Sequence, residues 1–521
     1  MAQMKTPGVY IQEKNAFSTT VVEAATAIPA FIGITEKAVN GSESLANKPW
    51  KINSMTEFIQ YFGGAPLPEF KLSVADQAND DAQKYLYCST PTNGKFLLVE
   101  KPANLFTLYY NLVLFFANGG GTCYIVSVGT YSEKDVKKEG TTEEVKVLLS
   151  IDKVETALGA LKKVREVTMI VIPEAVMNPE GMGNIQTDVL KHCGEMKNRM
   201  AILDLPLMIS DGKSLKNPIE TFHDQIGSNY LAYGAAYYPY LNTSVLAEKD
   251  IECTMLKWPQ TPDWENLFVV DSENDKAEKK LAVYLTSCFT DLNGEDEDKK
   301  LIAANNIHNT LLVNWPAYKL AVKVIKDFLN VLPPSAAIAG IYTMVDNTRG
   351  VWKAPANVSI NYVNSLTEDI DDKDQEDLNM PMNGKAINAI RTFPGEGVKV
   401  WGARTLDGNS QDWRYINVRR TMNFLEESIR NAAKAYVFEP NVSTTWINVQ
   451  AMISSFLRGV WKDGGLAGAS PEDAYQVHVG LGDTMTGDDI LNGIMRVTVL
   501  VAISRPAEFI EITFQQQMQK S

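Results

Sequence analysis

Apolar and polar positions alternate with a period of two in several short runs and recur every three to four residues in longer ones. That is the pattern of a chain mixing strands and helices. Strands are expected at Ala30–Thr35, Cys123–Val128, Thr168–Ile172 and Ala339–Tyr342. Near the C-terminus, Val497, Val499, Val501 and Ile503 share one face of a run over Arg496–Ile503. Pro506 interrupts it, and Ile510, Ile512 and Phe514 share one face of a second run over Glu508–Gln516. At the opposite end Pro7–Glu13 alternates in the same way, and Lys14–Thr20 after it carries no core-forming pattern. Strands detached at both ends offer open edges, which invite pairing with other chains. Over 415–436 the spacing predicts a helix: Tyr415, Val418, Met422, Leu425, Ile429, Ala432 and Tyr436 form one apolar stripe. The opposite face carries Arg419, Arg420, Glu426, Glu427, Arg430 and Lys434, so cations outnumber acids there.

That local sign contrasts with the whole chain, whose 521 residues carry a net charge of −14. Such a balance argues against a nucleic-acid binder, which needs an excess of Lys and Arg to neutralise phosphates, and equally against an anionic membrane surface. The length allows several domains, and 45% hydrophobic residues with 21% charged are ordinary for a globular protein. Five widely spaced cysteines (88, 123, 193, 253 and 288) form no CxxC pair, which suggests neither a disulfide framework nor a zinc site and fits a reducing compartment. The start lacks a secretory h-region, and Leu108–Ala117 is too short to span a membrane, so cytoplasmic synthesis is expected.

Motifs for chemistry are sparse. The four histidines (192, 223, 308, 478) are scattered and read as packing or surface residues; no HExxH, GxSxG or P-loop is present. The nearest phosphate cradle is Gly181-Met-Gly-Asn-Ile-Gln186 after the strand at Thr168–Pro173, but Gln186 stands where a third small residue is needed. A strand-to-helix turn is the plainer reading, and a nucleotide-binding enzyme using the 168–186 turn is the remote alternative. The acid runs Glu368–Asp377 and Glu295–Asp298 fail calcium-loop spacing and read as solvated loops. No catalytic residue, metal or cofactor is expected.

Several segments together resemble the tail sheath proteins of contractile phages and related contractile injection systems. They are Thr6-Pro-Gly-Val-Tyr-Ile-Gln-Glu13, Asn53-Ser-Met-Thr-Glu-Phe58 with Tyr61-Phe-Gly-Gly64, and Phe115-Phe-Ala-Asn-Gly-Gly120 with Cys123-Tyr-Ile-Val126. Closer still are Pro333–Tyr342, Arg349–Ala356, Ala389–Gly395, Val400–Thr405, Trp413–Arg420 and Arg505–Ile510. Gly384-Lys-Ala-Ile-Asn388 departs from the family's usual Gly-Ile-Asn, and 130–165, 180–300 and 357–380 carry no such motif.

The resemblance implies a mixed α/β, discontinuous two-domain sheath subunit with strand-exchange arms at both termini. An N-terminal arm and linker would occupy 1–20, an outer domain 21–344, an inner polymerisation domain facing the tube 345–506, and a C-terminal arm 507–521. Val9, Tyr10, Ile11, Glu508, Phe509, Ile510, Ile512 and Phe514 would lie in the exchanged strands. Arg419, Arg420, Arg430 and Lys434, with Arg458 and Lys462 as a second set, are candidates to face the tube. Gly395, Gly397 and Gly402 would serve tight turns and close approach. Arg404 and Arg349 would make fixed hydrogen bonds, and Trp352, Trp401, Trp413, Trp446 and Trp461 would pack. Expected partners are further copies, with paralogous sheath subunits among them, an inner tube protein, and baseplate and terminal cap proteins. Nucleic acid and membrane insertion are not expected. The particle would be extracellular, membrane-anchored or part of a virion, and its assembly in the bacterial cytoplasm would store the energy that later contraction releases. An injection-system sheath and a phage virion sheath both fit this pattern.

Overall fold

The computed structural model describes residues 21–512 except 80, 83, 103, 133–148, 208–216, 269–275 and 295. The chain divides into two units. Among the described residues the larger comprises 26–349 and 354–419, and the smaller 21–25, 350–353 and 420–512.

Continuous apolar runs, buried on both sides, build the larger unit's central sheet. In β1 (Pro29–Thr35) every residue is buried; Ala30, Ile32 and Ile34 enter one core and Phe31 the other. The remaining strands are β2 (Trp50–Ile52), β3 (Cys123–Thr130), β4 (Met169–Val171), β5 (Met200–Asp204), β6 (Gly234–Tyr238), β7 (Val358–Ser359), β8 (Ile387–Phe393) and β9 (Gly397–Val400). Their order is β7-β9-β8-β6-β5-β4-β1-β3-β2. The six strands from β8 to β3 run parallel, and antiparallel β2 and the β9–β7 pair close the two edges. Helices α1 (Leu108–Ala117) and α4 (Ser335–Arg349) contribute to the core containing Phe31; α2 (Ile151–Leu161) and α3 (Met182–Met196) contribute to the other. This is a sheet covered on both faces.

The strands expected from alternation at 30–35, 123–128 and 168–172 are present within a residue or two. Ala339–Tyr342 is not a strand but the middle of α4. That helix is buried on nearly all sides, so its apolar run has no face to betray its period. Its small residues permit close packing on α1: a Cβ on Gly340 would stand 2.5 Å from the Phe115 carbonyl oxygen. The acid runs are in part helical: 372–377 and 297–298 lie in helices, 368–371 stay irregular, and Glu295 lies outside the described residues. Asp371 caps the helix Asp372–Asn379 in a capping box with Asp374, and Asp296 caps Glu297–Asn314, where carboxylates favour the helix N-terminal dipole.

The larger unit also holds a third core. Strands Phe70–Ala75, Tyr85–Cys88, Phe96–Glu100 and Leu256–Lys257 enclose it with helices between Trp264 and Leu329, and Trp264 and Trp315 fill its centre.

The smaller unit packs α5 (Ile416–Ala433, from Arg420 onward), α6 (Ser443–Lys462) and a two-stranded antiparallel ribbon, β10 (Tyr475–His478) with β11 (Thr498–Val501). Val499 and Val501 turn toward its core, as the alternation requires, with Val497 and Ile503. The division falls near Arg349, and 354–419 belongs to the larger unit. The reason is the sheet: β8 pairs in parallel with β6, through Ala236 opposite Ile387 and Tyr238 opposite Ala389.

Candidate assembly surfaces

The turn that could have held a nucleotide is filled by the protein itself. After β4 the chain forms a short 3-10 turn, Pro173–Met177, and then α3. Gln186 is buried and donates through Nε2 to the Asp204 carbonyl at 2.7 Å, while a Cβ on Gly183 would stand 2.7 Å from the Gln225 Cβ. The cavity beside Gln186 measures only about 10 Å³, room for about one water.

The histidines each have a local task. His192 faces the Arg199 guanidinium at 3.1 Å, and burial together with that charge lowers it to about 4. His223 meets the Lys385 carbonyl at 2.9 Å, His308 the Tyr318 hydroxyl at 2.8 Å, and His478 lies 3.4 Å from Asp483. All five cysteines are free; Cys88 is half-buried and the others are buried, with Cys193 pushed up to about 12 by burial, the opposite of a reactive thiolate.

Two buried carboxylates, invisible as a motif, hold helix N-termini. Glu174 accepts from the Thr107 and Leu108 amides at 2.8 and 3.1 Å at the start of α1, and from Ile34 at 2.8 Å. Asp204, at the end of β5, accepts from the Ser335 amide at 2.8 Å and from its hydroxyl at the start of α4. Burial raises both acids, Asp204 to about 7, against the opposing pull of these hydrogen bonds. They fix scaffold geometry, and the cavity that Asp204 lines beside Gln186 measures only about 10 Å³.

The expected assembly residues fare unequally. Val9, Tyr10, Ile11 and Phe514 lie outside the described residues. Glu508, Phe509, Ile510 and Ile512 lie within them, but 508–512 form no strand, contrary to the alternation. Phe509, Ile510 and Ile512 are 73%, 79% and 69% exposed. An extended segment needs a partner edge to become a strand, and 508–512 belong to no sheet among the described residues. Among the described residues the ribbon β10–β11 comprises two strands.

Arg419 and Arg420 do not lie on a solvated face: both are only 4% exposed. The Arg419 guanidinium stacks over Trp413 at 4.0 Å and Tyr233 at 4.8 Å. Small polar residues explain the error, because Asn417, Thr421, Asn423 and Ser428 are buried as well, making the buried stripe wider than its apolar members. Arg430 forms an ion pair with Glu427 one turn back, and Lys434 donates to Asn431 at 2.9 Å. Arg458 and Lys462 stand exposed one turn apart on α6, a 20-residue helix containing no Asp or Glu. Thr444, Ile447, Asn448, Ala451 and Ser455 continue their exposed stripe.

Beside these lies a strained loop. Phe438 has φ +72 and its side chain is fully exposed, between exposed Val437 and Val442. Of the arginines expected to be fixed by hydrogen bonds, Arg404 is buried and donates to the Asn379 carbonyl at 3.1 Å, whereas Arg349 is exposed. Gly395 and Gly397 take φ +80 and +78 in the β8–β9 turn, and a Cβ on Gly402 would stand 2.7 Å from the Asn388 side chain. The tryptophans pack: Trp401 lies against Phe393 at 4.5 Å, Trp352 joins the smaller unit's core, and Trp446 and Trp461 donate to Asn441 and to the Gly468 carbonyl.

Residues 286–406 match the family model for the phage tail sheath protein central domain, and 409–517 that for the phage tail sheath C-terminal domain. A tail sheath protein of Vibrio phage KVP40 is 28% identical over 164 residues, 31% of this chain and 24% of its own length. The chain thus spans about a quarter of that curated relative. Similarity to solved structures extends much further. The sheath complex of the PVC extracellular contractile injection system, in its contracted state, is 27% identical with a TM-score of 0.57, covering 99% of both chains. A chain of the anti-feeding prophage baseplate is 26% identical with a TM-score of 0.58, covering 99% of this chain and 100% of its own.

Proposed function

Because the chain belongs to the contractile tail sheath family, we propose that it is a structural and mechanical subunit that polymerises around an inner tube and contracts to drive that tube through a target envelope. The observation that carries this reading is the likeness, along nearly the whole chain, to a contracted sheath. The smaller unit supports it physically. A two-stranded ribbon and an exposed apolar tail are incomplete alone, and strands supplied by neighbouring copies would complete them. With about five backbone hydrogen bonds per arm at ~1 kcal/mol net each, one exchanged arm contributes roughly 5 kcal/mol, repeated at every node of a lattice. In this reading the segments before residue 21 and after 506 are the arms, the smaller unit carries the polymer contacts, and the larger unit faces away from the tube.

The tube contact is assigned to the acid-free stripe of α6 ending in Arg458 and Lys462, with exposed Lys434 beside it in sequence order. Buried Arg419 and Arg420 and ion-paired Arg430 drop out as principal contacts. Baseplate and cap proteins would bound the polymer. An injection-system particle is favoured over a phage virion because the full-length likenesses are to PVC and anti-feeding prophage components. Neighbouring capsid and terminase genes would reverse that choice. The reading itself is tested by negative-stain microscopy of the purified protein, alone and with its tube protein. Helical sheaths are expected; dispersed subunits under both conditions would reject it.

A further inference from the structure

We propose that the larger unit binds a small aromatic acid, an aromatic body carrying a single anionic group, in a cavity beside Trp258. The cavity measures about 550 Å³. Small ligands fill cavities of roughly 300–1,000 Å³. Its walls come from the paired strands Phe70–Ala75 and Leu256–Lys257 and from the helices Glu297–Asn314 and Pro316–Leu329.

The lining favours a ring. Trp258 is half-buried, and its ring lies nearly parallel to that of Tyr318, with 6.3 Å between centroids. His308 Nδ1 and the Tyr318 hydroxyl share a hydrogen bond at 2.8 Å, which fixes the imidazole in the wall. Burial lowers His308 from its ordinary value, so near pH 7 it adds a neutral ring. Buried Leu256 and Ile307 supply further apolar surface. Aromatic groups in offset or edge-on contact gain more than their buried area alone, so a ring suits this lining better than an alkyl chain of equal size.

The charges select one anion. Lys71 and Lys257 are partners in the parallel register of the two strands, and both line the cavity. Like charges at paired positions repel. Glu69 stands 3.6 Å from Lys257, and Glu297 stands 2.7 Å from Lys300. Lys71 makes no ion pair among the described residues. Three ammonium groups thus face two carboxylates around one opening, a local surplus of one cation in a chain whose net charge is −14. One anionic group beside Lys71 balances that surplus and relieves the repulsion, whereas a second would meet Glu69 and Glu297. This assignment does not depend on the sheath reading.

Two fluorescent probes with the same aromatic body test the proposal. 1-Anilinonaphthalene-8-sulfonate carries one negative charge, and N-phenyl-1-naphthylamine carries none. Both are titrated against the soluble full-length subunit, and both should bind saturably. Lys71→Glu should weaken the sulfonate by about fivefold or more, the strength of an exposed ion pair, and leave the neutral probe unchanged. Ala304→Trp, which fills the cavity from its helical wall, should abolish saturable binding of both probes. Circular dichroism reports folding of each variant. If Ala304→Trp does not fold, Lys71→Glu, at an exposed position, still decides the question. Absence of saturable sulfonate binding would overturn the proposal, as would binding that survives in folded Ala304→Trp. Equal effects of Lys71→Glu on the two probes would overturn the assignment of an anion.

Discussion

The larger unit and the smaller one differ in how their sheets end. In the larger unit the parallel strands are flanked by antiparallel partners at both edges, and two exposed helix starts are avoided by burying Glu174 and Asp204 beneath them. In the smaller unit the ribbon has two strands among the described residues, and Phe438, Leu491, Leu500, Phe509, Ile510 and Ile512 all present large apolar surface. Exposed apolar side chains of this size are candidate interaction sites where they form a contiguous patch. In the sheath reading proposed above, the difference is a division of labour within one chain: one part is a finished fold, and the other would be finished by other copies.

The contrast breaks most visibly if the arms are removed. Deleting Met1–Lys14, or truncating after Pro506, should abolish long sheaths in electron micrographs while leaving the circular dichroism of a folded, soluble subunit. Either deletion giving tubes of normal length would return the ribbon and tail to the status of ordinary surface.

Within the finished unit, Asp204→Ala leaves the buried Ser335 amide and hydroxyl without their acceptor and should cost about 2–3 kcal/mol in denaturant unfolding. The same residue has a pH dependence with a definite sign. Its folded carboxyl is raised to about 7, so its stabilising contribution is complete below about pH 4 and is lost as pH rises through about 7. Asp204→Asn cannot titrate, so its unfolding free energy should fall less than the parent's between those limits. Parallel pH profiles would contradict this assignment.

Smaller effects sharpen the other side of the comparison. A phenylalanine at positive φ costs about 1–2 kcal/mol, partly offset in glycine by a freer unfolded chain. Phe438→Gly should therefore leave the soluble subunit as stable or about 1 kcal/mol more so, while tube yield falls. A lowered melting midpoint would show that the exposed ring supports the fold. The double reversal Arg458→Glu and Lys462→Glu should shift stability by less than about 0.5 kcal/mol yet weaken co-sedimentation with the tube. Unchanged co-sedimentation would move the tube contact elsewhere.

What could be read in advance follows the same divide. Short, sharply bounded apolar runs locate β1, β3 and β4, and period-two alternation locates β11. It failed for Ala339–Tyr342, where burial on all sides erases the helical period. The acid run over 368–377 reads as a loop when judged by calcium-ligand spacing alone, whereas its Asp371–Asp374 capping box marks a helix start. The burial of Arg419 could not be seen, because the ring of Tyr233 reaches it only through the tertiary fold. The family motifs located the segments that matter without showing which side chains face outward. Val400–Thr405 and Trp413–Arg420 were legible as motifs, whereas the cavity beside Trp258 needs the strand pairing that joins Lys71 to Lys257.

The central claim is that neighbouring copies complete the smaller unit, and amide hydrogen exchange over 498–512 tests it most directly. In the soluble subunit the amides of 505–512 should exchange rapidly and those of β11 at an intermediate rate. On assembly both groups should become protected by at least about a hundredfold, as inter-subunit strand hydrogen bonds form. Protection confined to the exposed face of α6, with 505–512 exchanging as fast in the sheath as in the free subunit, would contradict the claim.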